Sequence, residues 1–292
     1  MSLTENALLT AAKGKTSTVE VYFEQLQEKM TTLLTHTTTA NASTELQSGW
    51  KSLGDDPGSV LRDLYITKNP HPKQDRYKLV ELEDSDQRYA TIHLKHHAAL
   101  GSLIEGDIFK DILFFDKEGN IYYSYLKGAE LGKNLFVDKD LNQDLVQAAS
   151  PIVSIAKTDP KKKFEGFNFT GFYVHDGKMT GYLVGPAMKW GLTMGAIAFE
   201  VNADRFTSVM SDRSGLGKTG GVELVSADMQ QINFIDQEVN PLGAAQADLV
   251  AKAMDGQTIT GDVDIKGELS LAIAEPMNVF GQKLGRLHPS EL

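Results

Sequence analysis

His93 and His97 stand four residues apart, the separation that puts two imidazoles on one helix face where they could share a metal ion. No third ligand stands at a recognisable spacing, and His96 points elsewhere. The pair reads as core or surface histidines, and no metal is expected. Gly217-Lys218-Thr219 has the ending of a phosphate-binding loop, but the glycine required five residues before the Gly-Lys pair is Asp212 here. That loop also runs toward a strand, so no helix N-terminus would meet the phosphate. Asp116 to Asn120 reads as a hairpin turn and lacks calcium-loop spacing. There is no Gly-x-Ser-x-Gly elbow, no recognisable Ser/His/Asp set and no matched pair of carboxylates. The absence of cysteine removes thiolate nucleophiles, disulfides and cysteine zinc sites. The expectation is a protein that is not an enzyme and needs no cofactor.

A different pattern suits a small-molecule pocket. Tyr122, Tyr123, Tyr125, Phe169, Phe172, Tyr173 and Tyr182 fall on expected strands, and Lys127 ends one of them. An aromatic-walled cleft with one cation would trap a small carboxylate. Strand alternation sends only every second ring inward, so packing competes with ligand contact at each. The residues expected to touch ligand are Tyr123, Tyr125, Lys127, Phe169, Phe172, Tyr173 and Tyr182, with the ligand held between the long strands and the loop and helix of residues 131–147.

The elements that must position these groups begin with helix. From Glu5 to Gln47 the only helix breaker is Gly14, and Val19, Phe23, Leu26, Met30 and Leu33 follow spacings of four, three, four and three. A helix of that length would be roughly 60 Å long. Its apolar seam either lies on the chain's own domain or joins two copies as a homodimer. A second helical stretch, Leu46 to Leu64, is interrupted at residues 54–58, and Asn69-Pro70-His71-Pro72 ends helix. Tyr89 to Leu103 reads as helix, and Ile108–Asp116 and Ile121–Leu126 read as a hairpin about a Gly-Asn turn. Lys139 to Ala149 reads as a short helix, followed by strands over 166–174, 180–188 and 192–201. Helix, two strands, helix and three strands make a five-stranded antiparallel sheet of PAS-like architecture. Asn202 to Met210 leaves it as a short helix. Beyond the glycine-rich connector 215–221 the order repeats in shorter form: strands 222–226 and 231–235, helix 244–254, strands 258–265 and 269–277. One further strand is due after Gly281, where the sheet reads as incomplete.

The fold expected is α+β, a long N-terminal helix followed by two PAS-like antiparallel-sheet domains. The expected divisions are 1–72, 73–213 and 214–292. A chain of 292 residues, 41% hydrophobic and 23% charged, can bury such cores without staples. The formal charge of −10 disfavours nucleic acid and anionic lipid as partners. Lys161-Lys162-Lys163 reads as a solvated turn. No stretch approaches the roughly 18 apolar residues of a membrane span, and Met1-Ser2-Leu3 reads as a start added for expression.

Five segments, in order and at consistent gaps, resemble one family. These are Leu64–Pro70, His96–Leu100, Asp111–Leu135, Gly195–Met210 and Leu216–Gly220. The chain from about residue 45 is similar to the periplasmic sensor regions of bacterial methyl-accepting chemotaxis proteins with double Cache (tandem PAS-like) domains. The resemblance implies a homodimeric transmembrane receptor of the inner membrane. Its first sheet domain would be membrane-distal and hold the ligand, its second membrane-proximal. Related sensor regions serve histidine kinases and diguanylate cyclases, and a module that docks a soluble periplasmic binding protein is the competing role. Several positions depart from the pattern. Gly128 replaces the acidic residue after the lysine, residues 171–175 replace the family's loop, and the Arg-x-Trp signature of the amino-acid-binding relatives is missing. The pocket walls therefore differ from the family's and leave the ligand's identity open, while the aromatic cluster with Lys127 suits a small anion.

Overall fold

The computed structural model describes residues 3–82, 87–104, 108–211, 222–265 and 268–291. The connector 215–221, with its Gly217-Lys218-Thr219, lies outside the described residues.

The expected single helix is two. Helix α1 (Leu3–Thr35) ends at His36, whose extended backbone breaks the run and whose ring nitrogen accepts the Thr38 N–H at 3.2 Å, capping α2 (Thr37–Trp50). Val19, Phe23, Leu26, Met30 and Leu33 are all at most 5% exposed within one copy of the chain. The seam therefore serves the chain's own cores, and a dimer along α1 would have to use another face. Asp56 caps α3 (Pro57–Arg62), which starts on its proline and runs into a π turn at Asp63–Thr67. A 3-10 turn at Lys73–Lys78 leads toward α4 (Arg88–Ile104).

The first sheet holds β1 (Phe109–Asp116), β2 (Ile121–Ser124), β3 (Asn168–Phe169), β6 (Tyr182–Lys189) and β7 (Leu192–Val201), in the order β2-β1-β7-β6-β3. Every neighbouring pair is antiparallel. Counted along the chain, the order is 2-1-5-4-3. Helix α5 (Gln143–Thr158) links the second of these strands to the third. It runs nine residues past the expected end at Ala149, straight through Pro151. That proline leaves the carbonyl of Gln147 without a donor, and Gln147 is exposed, so water can serve it. The expected strand 166–174 is broken at Gly171, whose φ of +79° turns the chain out of the sheet. Beyond it, β4 (Tyr173–His175) and β5 (Lys178–Thr180) form a separate hairpin about Asp176-Gly177, both with positive φ.

After α6 (Ala203–Ser211), the second sheet holds β8 (Glu223–Val225), β9 (Gln230–Asn233), β10 (Glu238–Pro241), β11 (Ile259–Ile265), β12 (Glu268–Val279) and β13 (Gln282–Glu291). Their order is β10-β9-β8-β13-β12-β11. With the added edge strand β10 set aside, this is again 2-1-5-4-3, with α7 (Ala244–Met254) as the crossover. The second sheet is thus complete: β13 supplies the strand expected after Gly281 and pairs with β12 from Gln282 to Glu291. Leu249, Val250 and Ala253 of α7 pack on Val225, Val263, Ala272, Ala274 and Leu287 of the sheet.

The compact units are not consecutive in sequence. One comprises residues 28–170 and 181–202, around the first sheet. The other comprises residues 1–27, 171–180 and 203–292, around the second. A linear division at 72 and 213 does not express this interleaving. Among the described residues, no helix is long and apolar enough to cross a membrane.

Candidate functional site

Around the first sheet, a knot of buried aromatic and ionisable groups gathers where β2, α4 and the π turn converge. Tyr122 and Tyr123, adjacent on β2, reach different helices. The Tyr122 hydroxyl meets Ser43 Oγ of α2 at 2.9 Å, and the Tyr123 hydroxyl meets His97 Nδ1 of α4 at 2.9 Å. His97 stacks between His93, at 4.4 Å between ring centroids, and Tyr125, at 4.8 Å. Tyr65, from the π turn, lies 4.6 Å from the ring of His93.

Lys127 enters this knot with φ of +55° and is 1% exposed. Its Nζ lies 3.1 Å from His97 Nε2 and 5.9 Å from the centroid of Tyr65. His97 Nε2 also lies 2.6 Å from the carbonyl oxygen of Tyr77, which can only accept. That assigns the proton to Nε2 and leaves Nδ1 to accept from Tyr123. That carbonyl takes the one Nε2 proton, and a protonated Nε2 offers no lone pair, so this contact gives a charged Lys127 no acceptor. No carboxylate lies within ion-pairing distance of Nζ among the described residues. Burial pulls the Lys127 amine down to about 7, opposed by the nearby Asp111. Burial first, and the Lys127 cation second, pull His97 down to about 3 and hold His93 well below the usual imidazole range.

Two further polar atoms are sealed without partners: Tyr65 Oη and His93 Nε2. His93 Nδ1 donates to the Val80 carbonyl at 3.0 Å, so its bare Nε2 is an acceptor. The knot therefore presents a hydroxyl and an acceptor without hydrogen-bond partners, beside a lysine that no carboxylate pairs among the described residues. Beneath it, Asp111 accepts from the Ile112 and Leu126 amides at 2.7 and 2.9 Å and from Ser124 Oγ at 3.1 Å. Burial, with the Glu200 carboxylate second, pushes Asp111 up to about 8.

Of the residues expected to touch ligand, Tyr123, Tyr125 and Lys127 are brought together. Phe169 on β3 and Tyr182 on β6 lie four and three strands from β2, roughly 19 and 14 Å at the usual spacing. Phe172 and Tyr173 belong to the other compact unit, where Phe172 stacks on Phe206 at 5.8 Å and meets Phe234 edge-on at 4.8 Å. Sequence reasoning missed Tyr65, Tyr77 and Asp111, and set the histidine pair aside. Signals lay in segments carrying the family resemblance: Tyr65 falls in Leu64–Pro70, His97 in His96–Leu100, and Asp111 opens Asp111–Leu135, whereas Tyr77 and His93 lie in none. The histidine pair is buried, as the core reading had it, and among the described residues no cluster could hold a metal ion.

No known family pattern matches the sequence, and neither does any curated protein. Solved structures it resembles include ligand-binding regions of receptors and extracellular domains of histidine kinases. An extracellular ligand binding receptor from Desulfohalobium retbaense is 13% identical with a TM-score of 0.43, over 88% of this chain and 39% of that one. This chain thus spans about two fifths of that receptor. The ligand-binding domain of the Pseudomonas fluorescens chemoreceptor CtaA, solved with L-leucine, is 12% identical with a TM-score of 0.42, over 86% and 95% of the two chains. That of the Pseudomonas aeruginosa amino acid chemoreceptor PctC, solved with GABA, is 12% identical with a TM-score of 0.43, over 87% and 95%. At such TM-scores neither a common ligand nor a common mechanism follows.

Proposed function

We propose that this chain is the extracytoplasmic sensing region of a bacterial transmembrane receptor of the double Cache type, and that it binds a small organic anion at Lys127. The first sheet domain is the membrane-distal, ligand-holding one, the second is membrane-proximal, and inner-membrane helices flank the segment. The reading is supported by a leading helix, a sheet order used twice and the five matching segments. The observation that carries it is the buried Lys127, which as an ammonium has no acceptor. A carboxylate there would satisfy Nζ and take the Tyr65 hydroxyl, and a hydrogen-bond donor on the same ligand would meet His93 Nε2. Binding would favour one of two arrangements of the receptor's helices through its differential affinity for them. A homodimer would use a face of α1 other than the buried seam, one that includes the half-exposed Val21.

The test is a thermal-shift screen of organic acids against the wild type and Lys127→Met. An anion at a hundred times its Kd should stabilise the wild type by about 2.7 kcal/mol and leave the variant unmoved. An equal shift in both proteins would overturn the site.

One observation favours docking of a soluble binding protein as a second reading. Trp190, Phe136 and Val137 are 85%, 56% and 72% exposed. They sit at one end of the first sheet, since residues 134–136 pack against the β1–β2 turn and Trp190 forms the β6–β7 turn. If that reading is right, Trp190→Ser abolishes signalling by the whole receptor and Lys127→Met does not.

A further inference from the structure

The unit built on the second sheet has a cleft of its own. An open cavity of about 310 Å³ lies where the end of α7 meets the β12–β13 hairpin. Met254, Met277 and Leu284 form its apolar wall, and its two ionisable residues are Asp255 and Lys283. The two come from different elements. Asp255 is the C-terminal cap of α7, and Lys283 stands on β13. Neither side chain has a hydrogen-bond or ion-pair partner among the described residues. Both open into one small cleft beside an apolar wall, so a carboxylate and an ammonium from different elements face the same space. The end of α7 adds to the asymmetry, because a helix C-terminus carries partial negative charge and favours a cation.

We propose that this cleft binds a small aliphatic zwitterion. Its ammonium sits at Asp255 and the end of α7, its carboxylate at Lys283, and its side chain against the two methionines and Leu284. The site is separate from the Lys127 knot and does not depend on it. Pockets of this size suit small molecules, and methionine walls adapt to a range of aliphatic shapes. Both charged groups are exposed, so each contributes modestly and the binding is weak and salt-sensitive.

The protein's nine methionines make a direct readout. Full-length protein labelled at the methionine methyl carbons is titrated with L-leucine, with 4-methylpentanoate and with isoamylamine. The last two each keep the side chain and one charge. Met254→Leu and Met277→Leu assign the two cleft resonances. The expected result is saturable movement of both resonances with L-leucine, and binding about twofold to fivefold weaker for either half-charged analogue. Asp255→Asn and Lys283→Met should each weaken L-leucine by the same factor, and Lys127→Met should leave it unchanged. Three results would overturn the proposal: cleft resonances that do not move, half-charged analogues that bind as well as L-leucine, or a response that disappears in Lys127→Met. The last would assign the zwitterion to the other site, whereas failure of the Lys127 site alone leaves the cleft titration intact.

Discussion

Replacing Lys127 with methionine should stabilise the protein, and by an amount that depends on pH. Burial lowers this amine from an ordinary 10.5 to about 7, so the folded state is the one that resists its proton. Below pH 7 the lysine is charged both folded and unfolded, and the whole penalty is borne. Between pH 7 and 10.5 only the unfolded chain binds the proton, so the wild type gains stability as pH rises. Above 10.5 the penalty is gone. Each pKa unit is worth about 1.4 kcal/mol, so the full penalty is about 5 kcal/mol. Methionine keeps most of the stem's volume and cannot ionise. Urea unfolding of wild type and Lys127→Met at steps from pH 6 to pH 10 gives the difference directly. The expected outcome is a stabilisation of several kcal/mol at pH 6 that shrinks toward pH 10. A variant less stable than wild type at pH 6, or a difference flat in pH, would refute the claim that Lys127 is buried without a counter-ion.

Other substitutions probe separate links. A Cβ on Gly58 would overlap the carbonyl oxygen of Gly132, which is itself fixed by φ of +77° and by Arg62 Nη1 at 2.6 Å. Gly58→Ala should therefore cost about 1–3 kcal/mol and lower the melting temperature by several degrees. Glu275 is held down to about 2 by His288 and by the Thr16 hydroxyl at 2.6 Å, with Arg286 contributing. A carboxylate lowered in this way adds stability above its ordinary pKa and loses it as pH falls. Glu275→Gln should accordingly flatten the loss of stability between about pH 5 and pH 2 in an acid titration. Trp190 is 85% exposed and Trp50 only 5%. Trp190→Ser should leave the melting temperature nearly unchanged and remove most of the fluorescence quenched by iodide.

Periodicity revealed most of the elements because it reports which face of a helix or strand is apolar. Helix α7 is read to its end residues, and α4 to within one. The reading fails where another force outweighs periodicity. Pro151 hid the second half of α5, because a proline's cost depends on whether the freed carbonyl sees water, which the sequence does not state. β13 was hidden because its interior positions carry Arg286 and His288, both buried, so no apolar alternation marks it. The site was legible only in part. Lys127 was found as the lone cation among strand aromatics, but Phe169, Phe172, Tyr173 and Tyr182 share only a composition with it. Tyr65 and His93 approach it through tertiary packing, from elements 62 and 34 residues upstream of Lys127.

The interleaving of the two compact units sets an order on biosynthesis. Everything in the unit of residues 28–170 and 181–202 has left the ribosome once Asn202 emerges, so that core can close early. The other unit needs both ends: Thr16 on α1 bonds Glu275 on β12, 259 residues later. At the usual 5–20 residues per second, the first turns of α1 wait roughly 13–50 s for the strands that bury them. During that interval Ala12, Val19 and Phe23 form an apolar stripe with no sheet to cover it. A nascent chain of this kind invites a holding chaperone at its N-terminal helix, and its last strands decide whether that helix is released into the fold.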